Sequence, residues 1–221
     1  MSAGGRRTVL ITGGTTRIGL AIAERLRSAG WRVLTSSHRP DSGADFVADL
    51  SEPMGAARLF VAVLNALGGE PPDALVNNAA LFTGDDAAVE VVGLVAPQKL
   101  TVMMAGRETG RGAVVNILDA AVLTTSSASV ATSASPCYVA AKRALLDYTM
   151  KSAVMFSGTL RVNAVAPGPV FAPAGVHEKA GETLLGRPRP EDVAKAVEFL
   201  LDADSTTGAV VPVDAGQHLI G

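Results

Sequence analysis

The sequence contains little of what would direct a chain to a membrane, to nucleic acid or to an oxidising compartment. It has a single cysteine, Cys137, so no disulfide can form within the chain, and this usage fits a reducing compartment. Its formal net charge of −2 gives no general attraction to nucleic acid or to an anionic membrane. No apolar run approaches the ~18–20 residues that a membrane helix needs. We therefore expect a soluble cytoplasmic protein with neither nucleic acid nor membrane as a partner.

Two further absences concern targeting and metal binding. The apolar run after Arg6 and Arg7 is only a few residues long before Gly13 and Gly14 end it, which is too short for a signal peptide. No group of His, Cys and Asp has the spacing of metal ligands, so no metal is expected. A content of 23 Gly and 12 Pro is well below that of a low-complexity chain. The length predicts one domain over residues 1–221.

Apolar runs of strand length alternate with helix-period segments along the whole chain. Strands are predicted at 8–12, 32–36, 45–48, 74–77, 113–117, 161–166 and 210–213, and helices at 18–29, 53–67, 87–107, 136–156 and 190–201. Most strand segments are nearly continuously apolar, which is typical of strands buried on both faces. The pattern predicts an α/β fold, a Rossmann-like doubly wound parallel sheet in a single three-layer αβα domain. Residues 38–44 are too few for a crossover helix of ordinary length.

A glycine-rich turn follows the first predicted strand. Thr12 and Gly13 lead through Arg17 and Ile18 to Gly19, at the start of an apolar helix. A strand, a glycine turn and a helix N-terminus place backbone N–H groups and the positive end of the helix dipole where a pyrophosphate binds. Glycine is needed because a side chain would block the turn or the approach of the phosphate. The turn predicts a dinucleotide site, and a plain βα turn is the alternative.

Tyr138 and Lys142 are four residues apart in the predicted helix 136–156, so they share one helix face. A tyrosine hydroxyl, with an ordinary pKa of ~10, is a poor acid–base group near neutral pH. A neighbouring ammonium is expected to lower that pKa. The pair predicts that Tyr138 transfers a proton and that Lys142 tunes it. An ordinary helix surface with Tyr and Lys at this spacing is the alternative.

Several short motifs, in a fixed order along nearly the whole chain, resemble those of the short-chain dehydrogenase/reductase family. They are Thr12-Gly13 with Gly19, Asp49-Leu50, Asn77-Asn78-Ala79-Ala80, Tyr138-Val139-Ala140-Ala141-Lys142, Arg161-Val162-Asn163 with Pro167-Gly168, and Val213-Asp214-Ala215-Gly216. The resemblance implies these cofactor-binding residues: Thr12, Gly13, Arg17, Ile18, Gly19, His38, Arg39, Asp49, Leu50, Asn78, Ala79, Tyr138, Lys142, Pro167, Gly168 and Val170. It also implies a homo-oligomer, a dimer or a tetramer, formed through the helix of Tyr138 and the preceding helix.

The family usually places a serine just after the fifth strand. Counting from the predicted strand 113–117, that position is Asp119, whereas counting back from Tyr138 gives Thr125, with Ser126 beside it. Loop lengths vary more than strand ends, so the strand is the firmer anchor. Asp119 is therefore predicted as the third catalytic residue, with Tyr138 and Lys142. Capping of a local turn is its alternative role.

Arg17 in the glycine turn, Asp119 at the serine position and Phe82 after the Asn-Asn-Ala-Ala motif together resemble the pteridine reductases. That resemblance implies a substrate site of Arg17, Phe82, Asp119 and Tyr138, in which the ring of Phe82 and the nicotinamide hold a flat pterin between them. In the alternative, Phe82 is a core residue and Arg17 is a solvated helix residue.

The end of the second predicted strand indicates the cofactor. Selection of NAD normally requires an Asp or Glu there for the ribose 2′-hydroxyl. This segment has His38 and Arg39 and no carboxylate before Asp41, and a forked cation suits a 2′-phosphate. NADP(H) is the predicted cofactor and a pterin the predicted small-molecule substrate. A reductase of another small carbonyl (ketoacyl thioester, sugar or ketone) stays open. So does a non-catalytic NADP-binding sensor, because Gly93 replaces an asparagine that the family usually has.

Overall fold

The computed structural model describes residues 6–82, 85–107, 111–124, 135–171 and 183–220. Seven strands form one sheet in the order β3-β2-β1-β4-β5-β6-β7, and every neighbouring pair is parallel. The strands are β1 Thr8–Thr12, β2 Arg32–Ser37, β3 Phe46–Val47, β4 Ala74–Asn77, β5 Gly112–Ile117, β6 Leu160–Pro167 and β7 Val210–Val213. The order reverses between β1 and β4, so the sheet is doubly wound, and the predicted fold class is confirmed.

Helices cover both faces of this sheet. They are α1 Arg17–Ser28, α2 Gly55–Ala66, α3 Asp86–Glu90, α4 Ala96–Met104, α5 Pro136–Met155 and α6 Pro190–Asp202. On one face α1 and α6 pack on the sheet through Ile22, Leu26 and Val197. On the other face α2 and α4 do so through Leu59, Leu100 and their neighbours. These are the three layers that the alternating pattern predicts.

Two helix predictions differ from the structure in detail. The second helix begins at Gly55 rather than at Pro53, because Gly55 N–H donates to the Glu52 carbonyl and closes a separate turn ahead of the helix. The predicted helix 87–107 is divided by a π-helical turn, Val91–Val95, between α3 and α4.

The connection from β2 to β3 contains only a 3-10 turn, Pro40–Ser42, as the short spacing predicts. The side chain of Asp45 adds hydrogen bonds between the segment before β3 and strand β2. Asp45 Oδ2 accepts hydrogen bonds from the Thr35 backbone N–H at 2.7 Å and from the Thr35 hydroxyl at 2.8 Å. Asp45 therefore ties the short edge strand to the end of β2, where the cofactor-selecting segment begins.

The helical stretch Asp86–Met104 is, by length and composition, apolar enough to cross a membrane, which corrects the expectation that no stretch reaches this length. Its apolar side packs inside the fold: Val92, Ala96 and Leu100 belong to the core between α2, α4 and the sheet. A helix buried in a layered fold needs the same composition, so its packing accounts for its apolar character.

Candidate functional site

The glycine turn after β1 leaves no room for side chains. Gly13 has a φ of +63°, in the left-handed region. A Cβ at Gly19 would overlap the Gly13 carbonyl oxygen and lie 2.6 Å from Asn78 Nδ2. A Cβ at Gly14 would lie 2.8 Å from Thr35 Cγ2. The chain therefore bends closely from β1 into α1, and the first N–H groups of α1 face the turn, as pyrophosphate binding requires.

Arg17 occupies the place of the family's middle glycine and takes a backbone conformation that glycine favours. Its φ is +52°, and Ala215 is the only other non-glycine residue with a positive φ in the described part of the chain. The Arg17 guanidinium carbon lies 4.7 Å from the centroid of the Phe171 ring. This contact joins the turn after β1 to the segment after β6.

The ends of β1 and β4 are tied together beneath the turn. Thr12 Oγ1 accepts hydrogen bonds from the backbone N–H groups of Asn78 and Ala79, at 3.0 and 3.1 Å. Asn78 Nδ2 donates to the carbonyls of Thr12 and Gly13, both at 3.0 Å. In the absence of a ligand these predicted cofactor residues hold the backbone of the turn in place.

The end of β2 presents two exposed basic side chains, His38 and Arg39. Within the described segments, the guanidinium of Arg39 has no ion pair. Asp49, also exposed, lies near enough for His38 to help lower its pKa, although the hydrogen bonds from Ser51 to that carboxylate are the larger cause. Beside it Leu50 is buried. The predicted ribose and adenine residues therefore lie at the same edge of the sheet.

Asp119, Tyr138 and Lys142 meet at the carboxyl end of β5. Tyr138 donates its hydroxyl proton to Asp119 Oδ2 at 3.1 Å. Lys142 Nζ donates to the carbonyl of Ile117 at 2.6 Å and lies 5.6 Å from the centroid of the Tyr138 ring. Asp119 also caps a turn, since its Oδ1 accepts from Ala121 N–H at 2.9 Å. Both roles that the sequence suggested for Asp119 are therefore compatible.

The electrostatics of Tyr138 correct one expectation. Burial raises the pKa of Tyr138 well above its ordinary value, and the charge of Asp119 and the hydrogen bond to it raise it further. The expected lowering by Lys142 is wrong, because its ammonium donates to the Ile117 carbonyl and does not contact the hydroxyl. Burial lowers the pKa of Lys142 to about 8, although the charge of Asp119 acts in the opposite direction. Tyr138 is thus a phenol that can donate a proton.

Phe82 lies next to Tyr138. Its ring stacks on that of Tyr138, with centroids 4.7 Å apart and an interplanar angle of 26°. Half of the Phe82 side chain (50%) is exposed, so it is not a core residue. Phe82 therefore covers the buried ring of Tyr138, and its own half-exposed ring is the aromatic surface beside the Asp119–Tyr138 pair.

The segment that follows β6 packs against the end of β7. Gly168 N–H donates to the Val213 carbonyl, and a Cβ at Gly168 would lie 2.7 Å from the Cα of Asp214. Val170 is buried, and Phe171 packs beside it against the core. Pro167 and Gly168 are thus placed beside the end of β7, and the nicotinamide site predicted at Pro167, Gly168 and Val170 stays a prediction.

Some parts of the site could not be read from the sequence. Asn77 donates to Asn116 Oδ1, and Asn116 donates to Thr149, in a buried chain between the sheet and α5. For Phe171, the only indication in the sequence is its position shortly after the Pro167-Gly168 pair. The alternative serine positions, Thr125 and Ser126, lie outside the described residues. Across the described ranges no group of three His, Cys, Asp or Glu side chains is arranged to hold a metal ion.

The comparisons with known proteins agree with this geometry. The sequence model of the family described as "Enoyl-(Acyl carrier protein) reductase" matches residues 14–218. A Streptomyces violaceoruber protein named "Granaticin polyketide synthase putative ketoacyl reductase 2" is 34% identical, over 96% of this chain and 96% of its own.

Solved structures share the fold. The crystal structure of FolM Alternative dihydrofolate reductase 1 from Brucella canis, complexed with NADP, has a TM-score of 0.82 and 30% identity, and the match covers 96% of this chain and 94% of that one. Aldohexose dehydrogenase from Thermoplasma acidophilum has a TM-score of 0.83 at 24% identity, covering 97% and 94%, which shows the fold alone. The family match spans nearly the whole chain, and the motifs from Gly19 to Gly216 lie within it. The chain therefore belongs to the short-chain dehydrogenase/reductase family of oxidoreductases.

Proposed function

We propose that this protein is an NADPH-dependent reductase of a pterin. The observation that carries the proposal is the group of Asp119, Tyr138 and the exposed ring of Phe82. A general carbonyl reductase of the family would have a serine at the position of Asp119 and would not need the aromatic ring of Phe82. The FolM structure, named as an alternative dihydrofolate reductase and complexed with NADP, supports both the substrate class and the cofactor.

NADP(H) fits the residues at the cofactor edge. The cradle at Gly13 and Gly19 admits no side chain, which leaves backbone N–H groups for a pyrophosphate. His38 and Arg39 are exposed beside the end of β2 and offer donors to a 2′-phosphate. When bound, the cofactor supplies the hydride.

A flat heteroaromatic substrate suits the exposed ring of Phe82, which is backed by the buried ring of Tyr138. Stacked aromatic rings attract one another beyond the area that they bury. The carboxylate of Asp119 and the guanidinium of Arg17 offer an acceptor and a set of donors for the edge of such a ring. A substrate lying on Phe82 would therefore have polar groups available at its rim.

The residues divide the proton chemistry among them. Tyr138, with its raised pKa, holds the proton that the reduced substrate atom takes up. Asp119 accepts the hydrogen bond of the Tyr138 hydroxyl and so holds that oxygen in place. Because the hydroxyl has a single proton, it would leave Asp119 and turn to the substrate for the transfer. Lys142, with its pKa at about 8, is mostly protonated at pH 7, and its hydrogen bond to the Ile117 carbonyl ties the helix of Tyr138 to the end of β5.

A second candidate function is reduction of another small carbonyl, such as a ketoacyl thioester. The 34% identical relative, named as a ketoacyl reductase, favours it. That activity needs Tyr138, Lys142 and the cofactor site, but it does not need Phe82.

The test is a screen of NADPH consumption with dihydropterins, dihydrofolate, ketoacyl thioesters and simple ketones. We expect the highest kcat/KM with a dihydropterin and the loss of turnover in Tyr138→Phe. The control is Tyr148→Phe, which changes a tyrosine of the same helix whose hydroxyl donates to the Gln98 carbonyl. Reduction of ketoacyl thioesters alone supports the second candidate. A wild type that binds NADPH and consumes none with any substrate would indicate a sensor.

A further inference from the structure

The side chain of Arg17 is held by an aromatic ring and by little else. Its guanidinium carbon lies 4.7 Å from the centroid of Phe171, and in the described part of the chain it makes no hydrogen bond or ion pair. Stacking on the face of a ring uses the plane of a guanidinium and leaves its N–H donors free at the edge. A set of unused donors therefore stands at a fixed place beside the glycine turn.

Phe171 is a rigid support for this cation. Its ring is half-buried and packs against the core on the α1 and α6 face of the sheet, together with Ile18 and Val170. The residue follows the nicotinamide-side Pro167-Gly168 pair in the chain. The ring therefore holds the Arg17 guanidinium between the glycine turn after β1 and the segment after β6.

The backbone of Arg17 adds to this interpretation. A left-handed conformation is unfavourable for a residue with a Cβ, and glycine would adopt it without cost. Strain of this kind persists where the side chain is needed for function. The structure thus combines a strained backbone, an unpaired cation and an aromatic support in one place.

We propose that Phe171 is a positioning residue, which holds the Arg17 guanidinium where it binds acceptor atoms of the substrate and so selects acceptor-rich substrates. This rests on the proposed function in one respect, the placement of Arg17 in the substrate site. Backbone N–H groups of the turn are available to the pyrophosphate whether or not Arg17 also contacts it, so loss of the ring should affect the substrate more than the cofactor. A free arginine side chain has many rotamers, and the ring removes the entropy cost of fixing one of them.

The experiment compares Phe171→Leu, Phe171→Trp and the control Phe199→Leu, which changes an exposed phenylalanine on α6. NADPH affinity is measured by fluorescence titration, and KM and kcat are measured with the best substrate of the screen. In Phe171→Leu we expect KM to rise about two- to fivefold, as the loss of an exposed cation–π contact implies. NADPH affinity and kcat should change less than twofold, Phe171→Trp should retain the wild-type KM, and Phe199→Leu should behave as wild type.

A double-mutant cycle with Arg17→Met separates positioning from simple packing. If the ring acts through the guanidinium, Phe171→Leu should have no further effect on KM in the Arg17→Met background. Additive effects, or an equal loss of NADPH affinity in Phe171→Leu, would overturn the proposal. If the best substrate is not a pterin, the proposed function is refuted. The double-mutant cycle still tests the role of Phe171, because it is run with whichever substrate is reduced. A wild type that reduces none of the panel overturns both.

Discussion

Arg39 is the residue on which we expect the choice of cofactor to depend. It is exposed at the end of β2, so its bond to a 2′-phosphate is partly screened by water. We predict that Arg39→Ala weakens NADPH binding about tenfold, the lower end for loss of a charge-assisted hydrogen bond, and leaves NADH binding nearly unchanged. Equilibrium titrations of both cofactors measure this. Arg32→Ala, an exposed arginine at the other end of β2, is the control, and a wild type that prefers NADH would contradict the assignment.

Lys142 should destabilise the ligand-free protein at neutral pH. Its pKa is lowered by burial from 10.5 to about 8. Between these values the unfolded chain binds more protons than the folded one, so this residue makes stability rise with pH. Below pH 8 the full penalty applies, about 3 kcal/mol from the size of the shift.

The corresponding variant is Lys142→Met, with Lys151→Met on the exposed face of α5 as its control. At pH 7 we expect Lys142→Met to be more stable than wild type by about 1–3 kcal/mol, because the lost bond to Ile117 offsets part of the gain. The difference should shrink between pH 8 and 10. Chemical denaturation across this range measures it, and an advantage that is independent of pH would show that burial of the charge is not the cause.

Among the elements, the turn from β1 into α1 leaves little room for a side chain. A Cβ at Gly19 would overlap the Gly13 carbonyl and lie 2.6 Å from Asn78 Nδ2. Gly19→Ala should therefore lower stability by about 1–3 kcal/mol, the usual cost of overpacking, and lower NADPH affinity at least tenfold. Gly106→Ala is the control, because a Cβ there would meet only the Met103 carbonyl, at 3.4 Å. Equal effects of the two variants on NADPH binding would argue against a phosphate site in the turn.

At the scale of the whole molecule, α4 and α5 leave an apolar surface exposed. Val102, Met150, Val154 and Met155 are 55%, 50%, 77% and 67% exposed. Leu100 and Met104, from the same apolar stretch of α4, belong instead to the core. Large apolar side chains exposed together on one helix, as on α5, are typical of an interface.

We therefore predict a dimer or tetramer of the 22.5 kDa chain, associated through these helices. Sedimentation velocity should give a multiple of the chain mass for wild type. Val154→Glu combined with Met150→Glu should shift the protein toward the monomer. Val61→Glu, on the exposed face of α2, should not, although Val61 is 54% exposed. A wild type that sediments only as a monomer would contradict the prediction.

Much of this arrangement follows from local properties of the sequence. The seven strands lie close to where apolar runs predict them, since strands buried on both faces are mostly apolar. The polar residues that β6 buries, Arg161 and Asn163, are hydrogen-bonded. The turn after β1 was predictable for a similar reason, because only glycine fits the close approach of Gly13 and Gly19. Spacing likewise placed Tyr138 and Lys142 on one face of a helix.

What the sequence by itself determined is therefore the order of elements, their layering and the residue types at each strand end. Only the tertiary structure decided which groups act on one another. The pKa of Tyr138 is raised rather than lowered, because folding buries it against Asp119 and directs Lys142 to the Ile117 carbonyl. Arg17 stacks on Phe171, distant from it in the chain, for the same reason. Periodicity and propensity are properties of neighbours in sequence, whereas burial and charge–charge distances depend on packing between segments that are far apart in it.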